Sequence, residues 1–127
     1  MYIKDLKDCA EFMAGDNTIL REILHPAKIE THCNVLLQLR YSLAHAVLKP
    51  GKKSQPHKLK TSEVYYILQG KGLMHIENEL KEVQSGQTIY IPPNAVQFIQ
   101  NIGNEDLKFL CIVDPAWKKE DEEIIDN

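Results

Sequence analysis

Residues 51–70 read GKKSQPHKLKTSEVYYILQG, and this stretch decides the fold. Its second half, Ser62 to Gln69, is crowded with valine, isoleucine and tyrosine and stops at Gly70, the composition and punctuation of a β-strand. Upstream, Ser42 to Lys49 (SLAHAVLK) reads as another strand, ended by the Pro50-Gly51 turn. Downstream, Gly72 to Glu77, Gln87 to Ile91, Val96 to Ile102 and Leu107 to Val113 continue the pattern, with Pro92-Pro93-Asn94 and Gly103-Asn104 as breaks. Short strands with turn signals about every ten residues predict an all-β sandwich or barrel. The ends read differently. Asp114-Pro115 sets a capping acid before a proline and predicts a short helix over Trp117 to Ile125. Within Met1 to Pro26, the run TILREIL from Thr18 to Leu24 suits either a strand or a turn and a half of helix.

Composition narrows the function classes. A chain of 127 residues with 43% hydrophobic side chains buries roughly two-thirds of its unfolded surface, so its core needs neither disulfides nor a structural metal. Cys9, Cys33 and Cys111 are odd in number and form no C-x-x-C pair, which fits a reducing cytoplasm and argues against a cysteine zinc site. The opening MYIKDLKDC has no leader character, and no apolar run approaches the ~20 residues that span a bilayer, so no membrane role is expected. With 15 Lys plus Arg against 18 Asp plus Glu, the formal charge is −3, and the lysines form no stripe for phosphates. Nucleic acid is not an expected partner. No repeat, low-complexity tract or Gly/Ser linker divides the chain.

The spacing of Gly51, His57, Leu59, Glu63 and Gly70 resembles the first cupin motif, G-x5-H-x-H-x3,4-E-x6-G. Gly86, Pro92, Gln97 and Asn101 resemble the second, G-x5-P-x-G-x2-H-x3-N. The resemblance spans about residues 42 to 113 and implies a jelly-roll β-barrel. Together with YSLAHAVLKPG and FLCIVDPAW, it is similar to small single-domain archaeal cupins and, more loosely, to small cupins of polyketide pathways. It implies a barrel over residues 34–127, ending in the helical tail, and an extension over 1–33 that packs on the barrel or swaps between barrels. A homodimer is expected on the same footing.

Metal-binding cupins take three histidines and one glutamate from these motifs. Here His57 and Glu63 keep their places, while Leu59 and Gln97 stand where histidines would be, and Asn94 replaces a glycine at a turn whose left-handed backbone asparagine tolerates. By strand parity, His57, Leu59 and Glu63 face one side. The implied metal set is His57, Glu63 and Gln97, weakened because an amide and a leucine replace two imidazoles, and leaving open positions for water or substrate. Two readings stay open. With a divalent ion (Zn, Ni, Fe or Mn) the site polarises a carbonyl of an oxygen-rich metabolite, as an isomerase, cyclase or dioxygenase. Without one, His57 and Glu63 are the catalytic base and its orienter, as in metal-free epimerases of the superfamily, because imidazole exchanges protons near neutrality. A non-catalytic metabolite-binding module or sensor and a filled barrel are the rivals from another class, since fold alone does not name a reaction. No organic cofactor is expected, and the partner is a small-molecule ligand.

Other residues carry less weight. Tyr65 shares parity with Glu63 and has a phenol to offer, but Tyr65, Tyr66 and Tyr90 are ordinary strand packing and are left out of the catalytic set. His45 and His75 are outsiders on strands, and His25, His32 and Cys33 show no ligand spacing. Lys58 and Lys60 have the opposite parity to His57 and are expected in solvent. Cys111, in the most apolar strand, reads as a small hydrophobe, and Glu120 to Glu123 as a charged face.

Overall fold

The computed structural model describes residues 1–27, 29–30 and 35–125. Its strands are β1 (Glu11–Met13), β2 (Ile19–Leu24), β3 (Ile29–Glu30), β4 (Val35–Leu36), β5 (Ser42–Leu48), β6 (His57–Leu59) and β7 (Ser62–Gln69). They continue as β8 (Lys71–Ile76), β9 (Glu79–Gln84), β10 (Thr88–Ile91), β11 (Gln97–Asn101), β12 (Leu107–Asp114) and β13 (Glu122–Ile124). Every pairing is antiparallel. One sheet runs β1-β2-β5-β12-β7-β10 and the other β13-β6-β11-β8-β9, with β3-β4 apart. The two large sheets close on each other as a jelly roll, which lets each strand bury alternate side chains.

The alternation is clearest in β12, where Leu107, Phe109, Cys111 and Val113 are buried between partly exposed neighbours. Leu107, Phe109 and Cys111 meet Ala46 and Leu48 of β5, Tyr65 and Ile67 of β7, and Met74 and Ile99 from the opposite sheet. Each large side chain taken fully out of water contributes about 1.5–3 kcal/mol, which is why β12, central in its sheet, anchors the core. At the end of β7, Gly70 has φ +92 and passes so close to β12 that an added Cβ would lie 2.9 Å from the Asp106 carbonyl oxygen. Asn94, where the motif has glycine, takes φ 66, the left-handed backbone that asparagine tolerates, and its N–H donates to the Leu59 carbonyl at 2.7 Å.

Glu79–Gln84, charged and largely exposed, is an edge strand that carries no apolar period. β6 has only three residues, yet it alternates, His57 and Leu59 being buried on either side of Lys58. The C-terminal segment corrects an expectation. The helix over Trp117 to Ile125 is absent: Lys119–Asp121 is a single 3-10 turn, followed by β13. Tertiary hydrogen bonds take the donors that a helix would have used or left to caps. Ala116 N–H donates to the Arg40 carbonyl at 2.7 Å, Trp117 N–H to Ser42 Oγ at 3.0 Å and Ile125 N–H to the Pro56 carbonyl at 2.8 Å. At the other end, the ambiguous segment is strand β2. Its pairing with β5 from Ile19↔Val47 onward lays the β1–β2 hairpin along the six-stranded sheet. Among the described residues, no helix is long and apolar enough to cross a membrane.

Candidate functional site

The first motif straddles both sheets. His57 and Leu59 point inward from β6, the chain crosses at residues 60–61, and Glu63 and Tyr65 point inward from β7 on the facing sheet. Lys58, between the inward pair, faces out to Glu123 Oε2 at 3.4 Å. His57, Leu59, Glu63 and Tyr65 thus converge on one cavity of about 110 Å³, walled by Ala44 of β5 and by Phe109 and Cys111 of β12.

The second motif reaches the same place from behind. Gln97 stands opposite His57 in the β11–β6 pair and is almost fully buried. Its amide nitrogen donates to Glu63 Oε1 at 2.8 Å, and its carbonyl oxygen accepts the Tyr65 phenol at 3.0 Å. Gln97 therefore backs Glu63 and is not among the cavity's lining residues. Glu63 itself lines the cavity, with Oε1 engaged by Gln97.

A third contributor carries no motif. Asp16, in the β1–β2 turn, is held by Thr18, whose N–H and hydroxyl donate to Oδ1 at 3.2 and 2.7 Å. Its backbone carbonyl accepts from Gln55 N–H at 2.6 Å, and the Gln55 carbonyl accepts from His57 Nδ1 at 2.7 Å. Because a carbonyl can only accept, Nδ1 carries a proton, which leaves Nε2 as the nitrogen that gains or loses one, 3.7 Å from Asp16 Oδ2. The hairpin thus sets both the tautomer and the counter-charge of His57. Glu122, at the start of β13, also lines the cavity, its Oε2 accepting from Trp117 Nε1–H at 2.8 Å. Asp16 and Glu122 were invisible in the sequence. Gly15-Asp16-Asn17 shows only that a turn is present, and Glu122 sat in a run read as a solvated face.

The electrostatics follow from burial. Glu63 is pushed up to about 7, chiefly because burial penalises its charge; His57 and the Gln97 hydrogen bond oppose the shift, while Asp16 and Glu122 add to it. Burial, then the Glu63 charge, raises the Tyr65 phenol well above its ordinary value, and burial does the same to the Cys111 thiol, so both stay neutral. The remaining candidates lie elsewhere. His45 sits on the outer side of β5 beside Arg21 and Lys108, held below its ordinary value first by burial and then by those cations. His75 stacks on Phe98 at 3.9 Å, lowered by burial and Lys53. His25 Nε2 donates to the Trp117 carbonyl at 2.7 Å, a tie between the chain's ends. Tyr66 and Tyr90 are exposed. His32 and Cys33 lie outside the described residues.

Whether this donor set fits a divalent ion is a question of orientation. Both ends of the Gln97 amide are spent on Tyr65 and Glu63, and Leu59 offers no donor. Among the described residues, no three His, Cys, Asp or Glu side chains converge in a way that would hold an ion. As arranged, the residues do not fit a metal of the kind the motif family uses.

Comparison with known proteins gives the lineage. A family model described as cupin domain matches residues 44–113. An uncharacterized protein of Methanocaldococcus jannaschii is 45% identical over 116 residues, 91% of this chain and 87% of the relative. An oxalate-binding protein of Thermotoga maritima is 32% identical over 71 residues, 55% of this chain and 59% of that protein. Among solved structures, the nucleoside dehydratase Pac13 of Streptomyces superposes with a TM-score of 0.74 at 16% identity, covering 98% of this chain and 91% of the other, a likeness of fold alone.

Proposed function

Since this chain belongs to the cupin domain family, we propose that it binds a small oxygen-bearing metabolite in its barrel and acts on it by metal-independent proton transfer, as an isomerase or dehydratase. The observation that carries this reading is an imidazole and a carboxyl group on facing sheets that line one cavity. His57 turns Nε2 to the cavity side because Nδ1–H is held by the Gln55 carbonyl, and Glu63 is held up at about 7, so that a carboxylic acid persists near neutrality. In the proposed step, Nε2 removes a proton from a carbon beside a carbonyl, and the C–H electron pair becomes the new double bond. Glu63 gives its proton either to the carbonyl oxygen, yielding an enol, or to a β-hydroxyl that departs with the C–O pair as water. Asp16 Oδ2, 3.7 Å from Nε2, faces the imidazolium so formed.

The fold likeness to a dehydratase is compatible with this chemistry, although a cavity of about 110 Å³ holds only a ring-sized fragment, and anything longer must project through the mouth. The oxalate of the Thermotoga maritima relative's name does not transfer readily, because carboxyl groups already line the walls. The test is proton exchange in D2O. With dihydroxyacetone and small β-hydroxyketones, the native protein is expected to wash deuterium into the α-carbon, and His57→Asn and Glu63→Gln to lower the rate about 10²-fold or more. Binding of these compounds without any exchange would make the protein a metabolite-binding module instead.

A further inference from the structure

The two sheets present unlike faces to solvent. On the six-stranded sheet, the side chains between the buried ones line up in rows across four strands. Leu43 of β5, Ile112 of β12, Val64 of β7 and Tyr90 of β10 form one row, and Leu110 and Tyr66 pair in the next. All six are apolar or aromatic, and Tyr66 and Tyr90 are 40% and 62% exposed. The five-stranded sheet instead turns Lys58, Glu82, Gln100 and Glu123 outward, and its Phe98 ring is stacked on by His75 and approached by Lys53. An antiparallel sheet with one face in the core ordinarily gives water a polar outer face, which the five-stranded sheet does and the six-stranded sheet does not. Residues 4–9 cover part of that apolar face. Lys4 Nζ donates to the Ile23 carbonyl at 3.2 Å and Arg21 Nη1 to those of Leu6 and Cys9 at 3.1 and 3.3 Å, and His45 on the outer side of β5 is buried. This cover lies over β2 and β5, while Tyr66 and Tyr90, farther along the same rows, stay open.

We infer that a second copy of the chain docks here, the two six-stranded sheets packing outer face to outer face about a two-fold axis that crosses β12 at the level of Cys111. Four strands about 4.8 Å apart, and six rises of about 3.4 Å along β12, give a patch of about 400 Å² in projection, a size that marks an interaction site on a soluble protein. Side-chain relief makes the accessible area larger than its projection, so two copies together bury on the order of 1,000 Å², the level a specific interface has to reach. The charges at the two ends of β12 fit the occupant to a second copy. Lys108 and Asp114 share the outward parity of Leu110 and Ile112. Among the described residues Lys108 has no carboxylate partner, and Asp114 has only the well-exposed Arg40, at 3.8 Å. Rotation about the axis sets Leu110 of one copy against Ile112 of the other, and Lys108 against Asp114. The face is thus complementary to itself, as a two-fold interface must be.

The test is sedimentation velocity of the full chain from about 1 to 100 μM. The native chain is expected to sediment as a dimer of the 14.6 kDa protomer that dissociates toward the dilute end. Tyr90→Asp and Leu110→Asp should each weaken the dimer about tenfold or more. Leu110 is central in its sheet, whereas Tyr90 is exposed on the edge strand, so Tyr90→Asp keeps the comparison valid if Leu110→Asp fails to fold, with circular dichroism reporting the fold of each. Lys108→Asp and Asp114→Lys should each weaken association several-fold, and mixing the two variants should restore it, because the mixed pair regains both opposite-charge contacts. A native chain that stays monomeric throughout, or a dimer indifferent to Tyr90→Asp and Leu110→Asp, overturns the inference. A monomer that floats with phosphatidylcholine vesicles would give the face to a lipid surface and overturns it equally. A dimer broken by Tyr90→Asp yet blind to both charge reversals refutes the axis at Cys111, and with it the pairing of Lys108 and Asp114.

Discussion

Gln97 and Glu63 reach each other across the barrel, the amide nitrogen of one on the five-stranded sheet donating at 2.8 Å to Oε1 of the other on the six-stranded sheet. That bond, with the Tyr65 phenol behind it, turns a position where the family's metal motif has a ligand into a brace for an acid. It also links the two sheets through buried polar groups, where an unpaired partner is costly.

Replacing the brace should therefore disturb both stability and titration. Gln97→Leu strands the Tyr65 hydroxyl and Glu63 Oε1 in a buried place, at a cost of about 1–3 kcal/mol in urea unfolding. Because the lost bond lowered the Glu63 value, its carboxyl should titrate higher still, followed by carbon-detected NMR of the glutamate side chains. An unchanged titration would mean that Gln97 does not set the acid.

Glu63 also makes stability depend on pH in a definite direction. Its folded value, about 7, lies above the unfolded 4.5, so between these the folded chain holds a proton that the unfolded chain has lost. The contribution is present in full below about 4.5, drains away as pH rises toward 7 and is constant beyond, an effect on the order of 3 kcal/mol. Glu63→Gln, neutral throughout and of the same shape, should gain on the native protein across that window when urea midpoints are compared at pH 5 and pH 8. Parallel profiles would contradict the buried-acid reading.

Metal affinity should be recoverable by restoring imidazoles. The native chain is expected to give no saturable heat with Mn, Fe, Ni or Zn, because Gln97 and Leu59 present no donor. The double variant Leu59→His, Gln97→His adds two nitrogen ligands beside His57 and Glu63, and Zn should then raise its Tm. A native chain stabilised equally by Zn would show that the side chains rearrange around an ion.

Gly70→Ala tests the close approach of β7 and β12. With φ +92 and 2.9 Å from a would-be Cβ to the Asp106 carbonyl oxygen, the variant should lose about 1–3 kcal/mol, read as a lowered urea midpoint. Gly86→Ala has a similar φ but open space around it and should lose less.

The barrel was legible in residues 42–113 because strand chemistry is local: β-branched and aromatic runs, period-two burial and Gly or Pro punctuation act over a few residues. Parity accounts for His57 and Leu59 on β6, but Glu63 lies on β7 of the facing sheet and reaches the same cavity because the chain crosses between the sheets at residues 60–61, which strand parity does not encode. The terminal helix expected from Asp114-Pro115 failed because capping rules weigh only near neighbours, whereas Arg40, Ser42 and Pro56 took the backbone donors from far along the chain.

What the sequence by itself determined was the kind of fold and the place of His57 and Glu63 in its motif. Only tertiary structure decided what surrounds them. The β1–β2 turn brought Asp16 to the imidazole, β13 brought Glu122 to the cavity, and burial between the sheets raised Glu63 into the range where an acid is useful. Those are properties of three-dimensional surroundings, since the cost of holding a charge depends on which groups and how much water stand within a few ångströms, and chain order does not encode that distance.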